Sequence, residues 1–302
     1  MRKKALSPAV RREEVRRLHS EGVCSVRAGC RMLGLARSSY RYRRREPTDR
    51  QKAIHQRLAE LSQRYPRYGY RRIAAVLRQE GWAVGKRLVQ RWRREEGLRV
   101  LPTRRKTVRR GESTGLPTQA LHRGHVWTWD FIADATVRGG ALRILTILDE
   151  YTRECHVLRA DRALKSRDVL EWLQRAIQEH GAPSYLRSDN GPEFIATLVQ
   201  RWLKENGVKT LYIEPGSPWQ NGFVESFHGR IRDECLNREQ LHTLTEARVV
   251  IGDYRREYNQ RRPHSRLGYL SPTAYAQTLC PSPVPVGLRP PSNGNGQSAP
   301  NQ

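Results

Sequence analysis

The 302-residue chain has few cysteines, no long apolar run and, over its first third, very little acid. No stretch approaches the roughly 20 apolar residues that cross a bilayer, and the opening MRKKALSPAVRREE has no signal-peptide core. Membrane insertion and export are therefore not expected. Cys24, Cys30, Cys155, Cys235 and Cys280 are odd in number, scattered and free of any C-x-x-C spacing. A disulfide framework is not expected, and a reducing cytoplasm suits the chain better. His19, Cys24 and Cys30 lack a fourth partner at finger spacing, which argues against zinc. The shortage of acid is the most informative lack. Residues 1–110 hold 33 Lys and Arg against 9 Asp and Glu, whereas the other 192 hold 23 against 21. A cationic arm thus precedes a nearly neutral body. Such an arm binds polyanions, because each neutralised phosphate releases condensed counterions. Nucleic acid is the expected partner.

The arm reads as two helix-turn-helix units. In the first, residues 1–46, Val10, Val15 and Leu18 share a helical face, and Val26, Cys30 and Leu33 repeat at helical spacing behind a Ser25 N-cap. Gly34 breaks the pattern before a short Arg-rich helix from Ala36. The second unit, residues 47–100, is clearer. Ile73, Val76 and Leu77 line one face, Gly81 to Gly85 interrupt, and Leu88, Val89 and Trp92 line the next helix, which Gly97 ends. Lys86, Arg87, Gln90, Arg91, Arg93 and Arg94 take the rest of its circumference, as a helix in the major groove requires. A basic bundle that touches phosphates alone would show the same pattern. Residues 101–122 lack periodicity and read as a linker.

From Val126 the pattern changes to short apolar runs. VWTWDFIADATV, RILTILDEY and ECHVLRA are three strand candidates forming a meander. Helical patterns follow over 168–180 (Val169, Leu170, Leu173, Ile177) and 193–206 (Phe194, Leu198, Leu203 inward), with strands YLRS and VKTLYI between and after them. Helices from about Phe223 and over 244–258 complete residues 123–279. The arrangement is an α/β domain with a five-stranded mixed sheet flanked by helices. The tail, 280–302, is disordered by composition.

Three carboxylates stand out in this body. Asp130 lies mid-strand among apolar neighbours, where an isolated charge is costly. Asp189 lies where YLRS meets the turn DNGPE, and ligands of α/β sheets bind at such strand ends. Glu225 lies in the first turn of a helix, separated from Asp189 by 35 residues that leave room for a helix, a strand and a return. Converging carboxylates repel unless a hard cation shares them. Mg²⁺ accepts oxygen ligands and keeps positions open for water and phosphate. Two such ions about 4 Å apart serve both sides of a phosphodiester in an in-line displacement. Read singly, each acid is equally an ordinary surface or capping residue.

WTWDFIAD, RSDNGPEF and SPWQNGFVESFHGRIRDECLN resemble the three catalytic blocks of the DDE transposase and retroviral-integrase superfamily. YNQRRPHSRLGYLSP resembles the block that closes the core of bacterial insertion-sequence transposases, and PRYGYRRI…GLRV their N-terminal DNA-binding module. The likeness extends over about residues 10–275 and is greatest to the downstream-frame product of elements completed by frameshifting. It implies an RNase H-like core, Asp130, Asp189 and Glu225 as the metal-binding triad, and Mg²⁺ or Mn²⁺, as a pair of ions, for cofactor. It also implies double-stranded DNA partners (terminal repeats and target), a homo-oligomer on DNA, and possible dependence on the upstream-frame product. A bacterial cytoplasmic, nucleoid-associated protein with no membrane partner is expected.

Other residues in these blocks carry two readings each. Asn190 shapes the turn after Asp189 or touches DNA; Trp219, Gln220 and Asn221 contact DNA or pack their loop. Glu193 and Asp134 read as a helix cap and a solvated strand end, and His228 either faces phosphate or packs. Arg261, Arg262, His264 and Arg266 read as a basic cluster holding DNA backbone. The resulting expectation is a DNA transposase that cuts at element ends and joins the freed 3′-OH to another phosphodiester. The rivals are a non-catalytic repressor from a decayed element and an RNase H-like nuclease without strand transfer.

Overall fold

The computed structural model describes residues 7–42, 46–100, 119–189, 191–213 and 221–279. Residues 101–118 and 280–302, expected as linker and tail, lie outside the described residues. The chain divides into two compact units, residues 1–56 and 57–302.

The first unit holds α1 (Pro8–Ser20), α2 (Val26–Met32) and α3 (Arg37–Arg41). Each of the first two starts where the sequence supplies an acceptor. Ser7 Oγ accepts from the Val10 amide at 3.4 Å, and Ser25 Oγ from that of Ala28 at 3.3 Å. Gly34, at φ +58°, makes the left-handed turn into α3 that an L side chain resists. Val15, Cys30 and Leu35 form the small core, whereas Val10, expected on the same face as Val15, is 49% exposed.

Helix α4 (Asp49–Arg64) runs through the division between the units, with Ile54, Leu58 and Leu61 buried at i, i+4 and i+7. In the second unit, α5 (Tyr70–Gln79) and α6 (Lys86–Glu95) pack through Ile73, Leu77 and Val89, all fully buried. Then come β1 (Val126–Ala135), β2 (Ala141–Asp149), β3 (Cys155–Asp161), α7 (Ser166–His180), β4 (Tyr185–Ser188), α8 (Pro192–Ile195), α9 (Thr197–Glu205) and β5 (Lys209–Tyr212). Helices α10 (Gly222–Ile231), α11 (Leu244–Gln260) and α12 (Pro272–Leu279) close the unit, a π-helical turn at Arg232–Leu236 extending α10.

The sheet order is β3-β2-β1-β4-β5, antiparallel among β1 to β3 and parallel from β1 through β4 to β5. The meander accounts for the antiparallel half and the intervening helices for the parallel half. Strand β1 is central, so both its faces are covered. Trp127 and Trp129 join the core beneath α7 and α9, and Ile132 joins the one beneath α10 and α11. The 193–206 segment departs from expectation. The chain breaks at Ala196 between α8 and α9, which resets the helical phase. Val199 is therefore buried, and Leu198, expected inward, is 44% exposed.

Within this unit the α4–α6 region is tied to the sheet domain by side chains. Arg67 pairs with Asp233 at 2.5 Å, Arg72 with Glu234 at 3.3 Å, and the Tyr65 hydroxyl donates to Glu257. Gln79 Nε2 donates to the Tyr269 carbonyl at 3.1 Å.

Candidate active site

Alternation along β1 decides which side chains face α10. Trp127, Trp129 and Phe131 go to one face, and Thr128, Asp130 and Ile132 to the other. Thr128 Oγ1 donates to Asn221 Oδ1 at 2.7 Å, a buried bond that fixes the start of α10 against the central strand. Opposite Asp130 in the antiparallel register stands Thr146, whose hydroxyl donates to the Asp130 carbonyl at 2.9 Å. That hydroxyl has one proton, so it must accept from His228 Nε2, 3.0 Å away. The network thus assigns the Nε2–H tautomer and leaves the His228 Nδ1 lone pair facing Asp130 Oδ2 at 3.8 Å. Burial pushes the His228 imidazolium down to about 4, so the ring is neutral near pH 7.

On the parallel side, Thr128 is level with Arg187, and two residues further along each strand come Asp130 and Asp189. A stack of aromatic rings holds the turn after Asp189. Phe194, in α8, lies 4.5 Å from the Trp129 ring and 5.0 Å from that of Phe131. Gly191 brings its amide to Asp189 Oδ1 at 3.1 Å; a Cβ there would meet that oxygen at 3.1 Å and the Phe194 ring at 3.2 Å. Beneath it, Arg187 and Glu150 form a buried pair at 2.7 Å that anchors β4.

Asp130 is 24% exposed, while Asp189 and Glu225 are exposed. Burial, together with the negative charges of Asp189 and Glu225, pushes the Asp130 carboxyl up to about 6, against the opposing bond from the Phe131 amide at 2.7 Å. The three acids thus share an electrostatic field. Among the described residues no three His, Cys, Asp or Glu side chains enclose a metal-sized site as they stand. The donor set is nevertheless all oxygen, mutually repelling and open on the Asp189 and Glu225 sides, which suits a hard divalent cation.

The remaining candidates divide by burial. On α6, Lys86, Arg87, Gln90, Arg91 and Arg94 are exposed, but Arg93 is buried and gives Nη1 to the Tyr68 carbonyl at 2.5 Å. Asn221 is buried in the bond to Thr128, so it packs the start of α10. Arg262 and His264, expected on DNA backbone, are 1% and 5% exposed. Arg262 instead grips Glu234 with two bonds of 2.6 and 2.5 Å, and burial beside it pushes His264 down to about 2. Arg261 and Arg266 stay exposed. Glu193 pairs with Arg143 at 2.5 Å, and Asp134 Oδ1 accepts from the Ala135 amide. Asn190, Trp219 and Gln220 lie outside the described residues. Two features went unread in the sequence: the acceptor role of Glu234, and α4, whose Ile54, Leu58 and Leu61 already carried the helical spacing.

A sheet of this order, with helices on both faces and a helix-turn-helix region before it, defines an RNase H-like integrase core with a DNA-binding module. Family models agree: Integrase core domain over residues 120–218 and again over 206–272, and HTH-like domain over 48–107. The chain is 37% identical over 276 residues to the uncharacterized 39.2 kDa protein of insertion element IS476 from Xanthomonas euvesicatoria, covering 91% of this chain and 79% of that one. It is 38% identical to the 31.7 kDa protein of IS407 from Burkholderia multivorans, covering 83% and 90%. The transposase of IS904 from Lactococcus lactis is 27% identical over 68% of this chain and 86% of its own. Among solved structures, the HTLV-2 integrase catalytic core in complex with magnesium aligns with a TM-score of 0.43 at 17% identity, over 52% of this chain and 99% of that one. The chain belongs to the bacterial insertion-sequence transposases of the DDE integrase superfamily and is a DNA transposase. Among the described residues no helix is long and apolar enough to cross a membrane.

Proposed function

We propose that the chain cleaves and joins DNA strands at the ends of its mobile element through Asp130, Asp189 and Glu225, holding Mg²⁺ or Mn²⁺. The observation that carries this reading is the placement of the carboxylates: the parallel register brings Asp130 level with Asp189 at the strand end, and both Asp189 and Glu225 lie close enough for their charges to help raise the Asp130 carboxyl. Carboxylates that repel one another in a half-buried cleft are a ligand set awaiting a cation. When bound, divalent ions supply a Lewis acid at phosphate oxygens and a nucleophilic water at neutral pH. The protein's own part is placement. Thr128 and Asn221 set the start of α10, Thr146 and His228 hold its next turn, and the Phe194 stack fixes the turn bearing Asp189. Neutral His228 adds no positive charge that would compete with a cation for Asp130.

The exposed residues Lys86, Arg87, Gln90, Arg91 and Arg94 on α6 are proposed to dock element ends. No serine or tyrosine nucleophile is invoked, so water and then a DNA 3′-OH attack phosphorus. Because two ends must be processed and each chain has one carboxylate set, a homo-oligomer is the working form. Dependence on an upstream-frame product is tested by assaying the chain alone. A strand-transfer assay with the element's terminal DNA decides the matter. Joined product should require Mg²⁺ or Mn²⁺ and disappear with Asp130→Asn, Asp189→Asn and Glu225→Gln while DNA binding persists. Transfer in excess EDTA would sink the proposal.

A further inference from the structure

Helix α10 has two working faces. Glu225 and His228 are on the side facing Asp130, whereas Phe223, Ser226, Phe227 and Arg230 fall on the other at i, i+3, i+4 and i+7. Against this second face lies a cavity of about 370 Å³. Five arginines from four parts of the chain line it: Arg72 from α5, Arg153 from the β2–β3 turn, Arg230, and Arg262 and Arg266 after α11. Arg262 and Arg72 share one carboxylate, Glu234. Among the described residues, Arg153, Arg230 and Arg266 have no ion-pair partner. The acid in the wall, Asp149, already accepts the amides of Gly124, Tyr151 and Thr152 at 2.7 to 2.9 Å.

This cluster is costly as it stands, since burial and neighbouring arginines pull Arg72 and Arg153 below the usual guanidinium range. It is also pre-organised. The Arg153 guanidinium lies 4.0 Å over the Phe223 ring, on a residue held at φ +67°, a left-handed backbone that non-glycine residues rarely adopt. Planar forks converging on a cavity match tetrahedral oxyanions.

We infer that this cavity is a phosphate pocket that takes a backbone phosphate of bound DNA, on the face of α10 opposite Glu225. A helix is about 10 Å across and the major groove about 12 Å wide, so one duplex lying over α10 presents phosphates to both faces. The pocket then sets where the strand lies relative to the carboxylates. A free mononucleotide carries the same group and is the alternative source.

The test is fluorescence anisotropy with full-length protein and labelled terminal duplex across a salt series, in EDTA. It therefore reads binding even if the carboxylate chemistry is wrong. Arg230→Gln and Arg266→Gln should each weaken binding about five- to tenfold near 0.1 M salt and flatten the salt slope by roughly 0.9, one phosphate contact each. Arg201→Gln, an exposed arginine on α9, should leave both unchanged. Arg266 is exposed, so its substitution keeps the test valid even if Arg230→Gln disturbs packing. Wild-type affinity and slope in both variants would overturn the inference. So would AMP binding by wild type that both variants lose while duplex binding holds, since that assigns the pocket to a free nucleotide.

Discussion

Asp130→Asn should make the metal-free protein more stable. With its carboxyl raised from 3.8 to about 6, the folded state holds the proton more tightly than the unfolded chain does. Ionised Asp130 therefore opposes folding fully above about pH 6, and the penalty fades as pH falls through this range and is gone below 3.8, where both states are protonated. Two pKa units correspond to about 3 kcal/mol, and partial exposure reduces this to roughly 2 kcal/mol. The amide also suits the site. Its oxygen still accepts the Phe131 N–H, and its NH₂ can donate to the His228 Nδ1 lone pair, which the carboxylate meets only as another acceptor. At about 2–4 °C per kcal/mol for a unit of this size, the melting temperature should rise by roughly 4–8 °C at pH 7.5 in EDTA. The gain should shrink towards zero near pH 4. Saturating Mg²⁺ should reverse the order, because only the wild type retains the full ligand charge and gains stability by mass action. A variant that melts lower than wild type at pH 7.5, or whose gain is the same at pH 4, would refute the electrostatic account of the cleft.

Other perturbations separate the roles of neighbouring residues. Glu193→Gln should keep most strand transfer, because that carboxylate is engaged with Arg143; a loss matching that of Glu225→Gln in the same assay would make it a ligand. Arg87→Ala and Arg91→Ala should weaken terminal-duplex binding and each flatten its salt slope by about 0.9, with unchanged thermal melting, since both are exposed on α6. Arg262→Met should cost about 3–5 kcal/mol in denaturant unfolding, because it strands the buried Glu234 carboxylate with Arg72 alone at 3.3 Å; a change below about 1 kcal/mol would show the pair is dispensable.

How much of this was legible beforehand depended on the range of the signal. Strand and helix periodicity indicated a three-strand meander followed by strands alternating with helices, and so a five-stranded mixed sheet, because alternation and connection length are local properties. Asp130 was conspicuous as a charge amid VWTW–FIA, and Asp189 as a strand-end acid. The inward facing of Leu198 failed because one extended residue, Ala196, resets a helix, and alanine carries no breaking signal. Within the RRPH cluster the partner of Arg262 was not legible, for a different reason. Arg262 and Arg261 are adjacent and chemically identical, yet one is buried on a carboxylate 28 residues away and the other faces solvent. Composition locates charge but not its partner.

That contrast bears on how the unit is built. Glu234 sits in the π-helical turn that continues α10, and it accepts both Arg262, from the segment after α11, and Arg72, from the helix-turn-helix region. One carboxylate therefore ties three separate stretches of chain at the end of the helix bearing Glu225. A π-turn displaces the register by one residue relative to a continuing α-helix, and such turns recur where a side chain must be aimed. Here the displaced turn aims Glu234 at the two arginines, while Asp233 beside it meets Arg67. On the preceding α-helical turns His228 faces the sheet, against Asp130 and Thr146, while Glu225 is exposed and close enough for its charge to help raise the Asp130 carboxyl. The same helix thus carries an acid toward the cleft and, one turn beyond its end, an acid that fastens the DNA-binding region to the core. Any shift of α10 along its axis moves both at once, so the contacts that dock the helix-turn-helix region are also contacts that position the third carboxylate.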